Sequence, residues 1–143
     1  MNQDRKKYIF DTSALLTFIE NENGFEDVEN FLVRAEKNEI GVYISFISLV
    51  ELFYITLQEK DEAEASYRVK LIQSLAVHIV ESYENVNLTA ARLKAKNRIS
   101  LADSLVAALC KEYDGILVHK DPEFEQLSSV IVEHRLPYKS SSD

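Results

Sequence analysis

The sequence has 143 residues, 46% of them hydrophobic, with 24 acidic and 16 basic side chains and a formal net charge of −8. That length fills one core and is too short for two ordinary domains. The acidic balance argues against a generic nucleic-acid coat, which draws its affinity from clustered lysine and arginine.

No apolar run approaches the ~20 residues of a membrane span. The start "MNQDRKK" leads into a strand rather than the apolar region of a signal peptide. Cys110 stands alone inside an apolar helical pattern. It excludes an internal disulfide and a cysteine-rich zinc site, and it reads as a buried, inert thiol. These features lead to the expectation of a soluble, cytoplasmic domain.

In chain order, strands are predicted at Tyr8–Phe10, Gly41–Phe46, His78–Ser82, Ile116–His119 and Val130–Glu133. Helical patterns lie between them at Ala14–Glu20, Glu26–Lys37, Leu49–Glu59, Ala63–Leu75, Leu88–Ala95, Leu101–Tyr113 and, briefly, Glu123–Leu127. Strands separated by helices imply right-handed crossovers and a mostly parallel sheet covered on both faces. The expected fold is α/β, one domain over residues 1–138 with a central five-stranded sheet. The final "KSSSD", residues 139–143, reads as a short disordered tail.

In such sheets ligands bind beyond the carboxyl ends of the strands, where helix N-termini also gather. Four acids fall there. Asp11 ends the first strand, in "YIFDTSALL". Glu51 lies just inside the helix after the second, in "SFISLVELFYI". Asp103 occupies the first turn of its helix, in "ISLADSLVAAL", and Asp121 ends the strand in "GILVHKD".

Each acid also has a purely structural reading. Ser48–Glu51 fits a capping box and Ser100–Asp103 its aspartate form. Asp121 before Pro122 fits an N-cap followed by proline at the first helical position. Asp11 fits a cap for the helix near Ala14. Apolar neighbours weaken two of these readings. Glu51 has Ile47, Tyr54 and Ile55 at helical offsets, and Asp103 has Ile99, Val106, Ala107 and Cys110. A carboxylate in such a sector needs compensation, and basic residues are scarce at those offsets. Hard oxygen donors without nearby histidine or cysteine suit Mg²⁺ or Mn²⁺. Ser13 offers a hydroxyl and a backbone N–H to the same place.

From Asn85 to Ala102 the chain carries Arg92, Lys94, Lys96 and Arg98 and no acid. This stretch is either a phosphate footprint or a solvated helix face.

Four stretches, "IFDTSALL", "SFISLVELFYI", "ISLADSLVAALC" and "GILVHKDPEF", resemble PIN-domain ribonucleases, the group that includes the VapC toxins of toxin–antitoxin pairs. They occur in that family's order over nearly the whole chain. The resemblance implies that Asp11, Glu51, Asp103 and Asp121 are the acidic metal-site set, with Ser13 as the small hydroxyl residue after the first aspartate. It also implies one or two Mg²⁺ or Mn²⁺ ions, endonucleolytic hydrolysis of RNA, an antitoxin covering the acidic cleft and a homodimer. Asp11 and Asp103 are then the direct ligands. Arg92, Lys94, Lys96 and Arg98 are expected to position RNA phosphates. His119 and Lys120 receive no role.

Other readings stand beside this one. A nucleotide-switch enzyme would want a glycine-rich loop, yet Gly24, Gly41 and Gly115 are scattered. A haloacid-dehalogenase-type phosphatase would place a second aspartate where Ser13 stands. A non-toxin RNA-processing nuclease would share the same site. A silent binding module would use the acids only as caps and recruit a basic partner.

Overall fold

The computed structural model describes residues 5–139. Strand β1 (Lys7–Phe10) is followed by α1 (Thr12–Ile19), α2 (Phe25–Glu36), β2 (Gly41–Ser45), α3 (Phe46–Glu59) and α4 (Glu62–Gln73). Then come β3 (His78–Val80), α5 (Glu84–Lys96), α6 (Leu101–Tyr113), β4 (Ile116–His119), a 3-10 helix (Pro122–Leu127) and β5 (Val132–Arg135). The five strands form one sheet in the order β3-β2-β1-β4-β5, and every pairing is parallel. This is the expected α/β architecture, with the parallel character complete.

Strand alternation divides the core into two layers. Tyr8 and Phe10 point with Val42, Ile44 and Val118 towards α1, α2 and α4, meeting Leu15, Val28, Phe31 and Ile72. Ile9 and Leu117 point the other way, towards Val86, Ala90 and Leu93 of α5 and Val106, Leu109 and Cys110 of α6. Both faces of β1 are therefore dry, as its unbroken apolar run requires. Cys110 is buried, and burial pushes its thiol pKa up, as an inert core cysteine should behave. At Gly115, just before β4, a Cβ would stand 2.5 Å from Cδ1 of the fully buried Ile9, so a larger residue would force that core side chain to shift.

The first two crossovers carry the chain from β1 outwards to β3. The next, through α5 and α6, returns it to β4 on the opposite side of β1. Strand order reverses at β1, opening a crevice between the carboxyl ends of β1 and β4. Register fixes what meets there. Phe10 pairs with Val118, and the Asp11 N–H continues the ladder to the Val118 carbonyl at 3.1 Å.

Three expectations need correction. The second strand ends at Ser45, and Phe46 already belongs to α3. Ser45, not Ser48, is the cap, accepting the Ile47 N–H at 3.2 Å, so the Ser48–Glu51 capping box does not exist. The last strand begins at Val132, because Val130 and Ile131 close a turn onto Leu127. Of the expected tail, Lys139 ion-pairs with Glu22 at 2.8 Å, and residues 140–143 lie outside the described residues. Among the described residues, no helix is long and apolar enough to cross a membrane.

Burial ranks the strand residues by consequence. Ile9→Ala, at a fully buried central position, is expected to cost about 2–5 kcal/mol in urea unfolding. Val132→Ala, 63% exposed on the edge strand, is expected to stay within about 0.5 kcal/mol.

Candidate metal centre

Asp11 leaves β1 and caps α1. Both the backbone N–H and the hydroxyl of Ser13 donate to its Oδ2, at 3.1 and 2.7 Å. The Ser13 hydroxyl also accepts the Lys120 N–H at 3.0 Å, tying the exits of β1 and β4 together. Ser13 thus orients Asp11 through both the hydroxyl and the backbone N–H. The cap uses one carboxylate oxygen only. Asp11 Oδ1 is buried and has no hydrogen-bond partner.

Glu51, in the second turn of α3, accepts a 2.6 Å hydrogen bond from Thr12 Oγ1. The apolar offsets noted around it therefore aim it at the start of α1. Asp103 stands in the first turn of α6, 6% exposed, its own N–H donating to the Ser100 cap at 3.0 Å. Asp121 caps the 3-10 helix through the Glu123 N–H at 3.0 Å, with Pro122 at its first position. The caps foreseen for Asp11, Ser100 and Asp121 are present, and the carboxylates of Asp11, Asp103 and Asp121 lie near enough to act on one another. Capping and convergence are two consequences of one placement, since positive helix ends also ease the crowding of acids.

Their mutual repulsion is visible in their acidity. Asp103 is pushed from its ordinary 3.8 to about 8, by burial first and then by Asp11, Asp121, Glu51 and Glu123. Asp11 rises to about 6, again chiefly through burial, opposed by its Ser13 hydrogen bonds and raised further by Glu51 and Asp121. Among the described residues, no lysine or arginine forms an ion pair with Asp11, Glu51, Asp103 or Asp121.

Carboxylate oxygens of Asp103, Asp121 and Glu123 lie within 4.8 Å of one another. Glu123 was missed by sequence reasoning; its signal was the D-P-E run that opens the short helix. Thr12 was missed as well, since its partner lies 39 residues away. An all-oxygen donor set, an orphaned buried oxygen on Asp11 and no internal cation together fit a hard divalent ion.

Two further residues hold the fourth acid in place. His119 is fully buried; its Nδ1 accepts the Asp121 N–H at 3.0 Å, which leaves Nε2 to donate to Glu133 at 3.0 Å. Arg135 braces the other Glu133 oxygen at 3.1 Å. Lys120 turns away from the acids, donating to the Asn23 carbonyl at 2.8 Å.

The four basic residues separate. Arg92 and Lys96 line a cleft of about 280 Å³ with Lys111 of α6, whereas Lys94 and Arg98 do not. One helical turn separates Arg92 from Lys96, and the intervening Lys94 is carried to another face.

The metal-free protein should reveal the buried acid through pH. A carboxyl whose pKa rises on folding contributes stability below its unfolded value, and loses it as pH rises through the folded value. Asp103 therefore stabilises the fold fully below about 3.8, and the contribution fades up to about 8. With EDTA present, urea midpoints are expected to fall between pH 5 and pH 8, and Asp103→Asn to flatten that fall.

The family model for the PIN domain matches residues 8–130. No curated protein matches the sequence. Among solved structures, the fold is similar to a chain of VapBC2 from Rickettsia felis bound to a promoter DNA fragment. That match has a TM-score of 0.74 and 17% identity, and covers 92% of this chain and 99% of that one. DNA-bound VapBC from Salmonella typhimurium gives 0.73 and 17%, covering 91% and 98%. Mycobacterium tuberculosis VapC20, described as a Sarcin-Ricin loop cleaving toxin, gives 0.69 and 13%, covering 91% and 99%. With the family model spanning most of the chain and the five-stranded parallel sheet in place, this protein belongs to the PIN domain family.

Proposed function

We propose that the protein is a Mg²⁺- or Mn²⁺-dependent endoribonuclease and the toxin of a toxin–antitoxin pair. One observation supports the reading most: the half-buried Glu51 and Asp121 help raise the pKa of the buried Asp11 and Asp103, the four coming from separate parts of the chain. No cation is paired to them among the described residues, leaving Asp11 Oδ1 unpartnered. Asp11 and Asp103 are assigned as the residues that would hold the ion directly; Asp121 and Glu123 bring carboxylate oxygens within 4.8 Å of Asp103, whereas Asp11 and Glu51 stand outside that trio, Glu51 held by Thr12. When bound there, the ion would neutralise the acids and polarise the phosphodiester and its attacking water.

The protein's own side chains do the rest. Water adds to phosphorus as one P–O bond breaks; a carboxylate oxygen on Glu51 or Asp121 would orient the water and take its proton, and the departing oxygen takes up a proton from solvent. The acids repel RNA in the absence of a cation, so strand binding falls to basic side chains elsewhere. Arg92 and Lys96, with Lys111, offer three cations on one cleft for that purpose.

The toxin assignment draws support from the similar solved structures, which include VapBC pairs and VapC20, the Sarcin-Ricin loop cleaving toxin. An antitoxin segment bearing a cation would satisfy the same acids. A homodimer would cover the apolar stripe that α3 leaves exposed at Val50, Tyr54 and Leu57.

Cleavage of a structured RNA pool tests the chemistry. Wild type is expected to cut with Mn²⁺ or Mg²⁺ and not with EDTA. Asp11→Asn and Asp103→Asn should each lose more than about 100-fold in rate while staying folded, exceeding the loss typical of groups that only support ligands. Cutting that survives in both variants or in EDTA would refute the site. For RNA positioning, Arg92→Ala and Lys111→Ala should each lower the slope of log affinity against log salt by about 0.7, and Lys94→Ala by less. Equal slopes across all three would remove the cleft from the account.

A further inference from the structure

Beside the acids lies a second cleft that catalysis as described does not use. Lys120 follows β4, and its side chain is only 5% exposed. Its Nζ donates to the Asn23 carbonyl at 2.8 Å and faces Glu22 Oε1 at 3.4 Å. Lys139 comes back from the other end of the chain and pairs with Glu22 Oε2 at 2.8 Å. Two hollows, of about 310 and 380 Å³, share Glu22, Lys120, Tyr138 and Lys139. The first also touches Leu16 and Pro122 and opens directly onto Ser13 and Asp121.

We propose that this cleft is a nucleotide subsite, holding the base and sugar of the RNA residue that flanks the scissile phosphate; the proposal deepens the nuclease reading and rests on it. Position is the first argument. A strand whose phosphate lies at Asp11 and Asp121 must lead its neighbour past Ser13 and Asp121, and this cleft borders both. Chemistry is the second. Tyr138 with Leu16 and Pro122 provides aromatic and apolar surface for the π-face of a base. Glu22 is an acceptor whose two oxygens hold more lone pairs than the two ammoniums consume, and it suits a base edge that donates, such as the N1–H and N2–H of guanine.

Charge is the third. Two ammoniums stand against Glu22, and Asp121 enters only at the rim of the first hollow, so the cleft is close to neutral where its neighbour is strongly anionic. Burial alone would lift the Glu22 pKa, and Lys139 and Lys120 outweigh it, keeping this carboxyl ionised and ready to accept. The volume lies at the lower end of the range of small-ligand pockets, which suits one nucleotide and excludes a folded partner.

The test is a titration of the full chain with guanosine 5′-monophosphate in EDTA, followed through backbone amide shifts, with inorganic phosphate in parallel. Shifts should concentrate at Leu16, Glu22, Lys120 and Tyr138, and phosphate alone should not reproduce them. Tyr138→Ala should weaken binding about tenfold, the loss expected of a stacked base, while Tyr138→Phe keeps the ring and retains it. Tyr67→Ala, exposed on α4, should change nothing. Shifts absent from the cleft, shifts equally produced by phosphate, or affinity indifferent to Tyr138→Ala would each overturn the subsite. A cleft that binds the nucleotide in a protein that cuts no RNA with Mn²⁺ would instead defeat the nuclease reading alone.

Discussion

Like charges resist being buried together, and this protein buries Asp11 and Asp103 beside the carboxylates of Glu51, Asp121 and Glu123. A single unpaired carboxylate in such a place already costs several kcal/mol, and each neighbour adds to the cost. Asp103 carries the burden most plainly: burial and four surrounding carboxylates hold its proton up to about pH 8. Nothing in the packing of the core asks for this. The hydrophobic layers on either face of β1 would close as well over a neutral side chain. The acids are placed at the expense of stability, which is the usual mark of a working site.

The parallel sheet makes the arrangement achievable. Because strand order reverses at β1, the ends of β1 and β4 lie side by side while α1 and α6 begin at the same edge. Residues over a hundred positions apart then share one hydrogen-bond system, as Ser13 and Lys120 do. The supporting groups are as organised as the acids. Ser13 fixes Asp11, Thr12 fixes Glu51, and His119 with Glu133 fixes the backbone of Asp121. Each supporter fills part of a carboxylate's or an amide's capacity and leaves an oxygen free for something else. Asp11 Oδ1 is the clearest remainder.

The sheet and the acids were legible from local patterns, because both announce themselves by a change of polarity at a strand exit. Asp11 and Asp121 interrupt apolar runs, and Asp103 follows a serine cap. Glu51 was placed in the right region with the wrong neighbour. "YISFISLV" is apolar or β-branched nearly throughout, so nothing in it separates strand from helix at Ser45. The same ambiguity displaced the last strand, where Val130 completes the alternation but belongs to a turn. What stayed illegible was long-range. Thr12 needs Glu51, Lys120 needs Asn23, and His119 needs Glu133, and no local period links such pairs. Arg92, Lys96 and Lys111 show the converse: a run of charge was obvious, yet only the helix pair shows which of its members share a cleft with Lys111.

On the function proposed above, a divalent ion would relieve the repulsion among these acids by displacing the proton that Asp103 holds. Calorimetric titration of the metal-free protein with Mn²⁺ at pH 7, repeated in buffers of different ionisation heat, counts protons released per ion bound. Release of close to one proton is expected, reduced to a small fraction in Asp103→Asn. Mn²⁺ binding without proton release, or no binding at all, would contradict it.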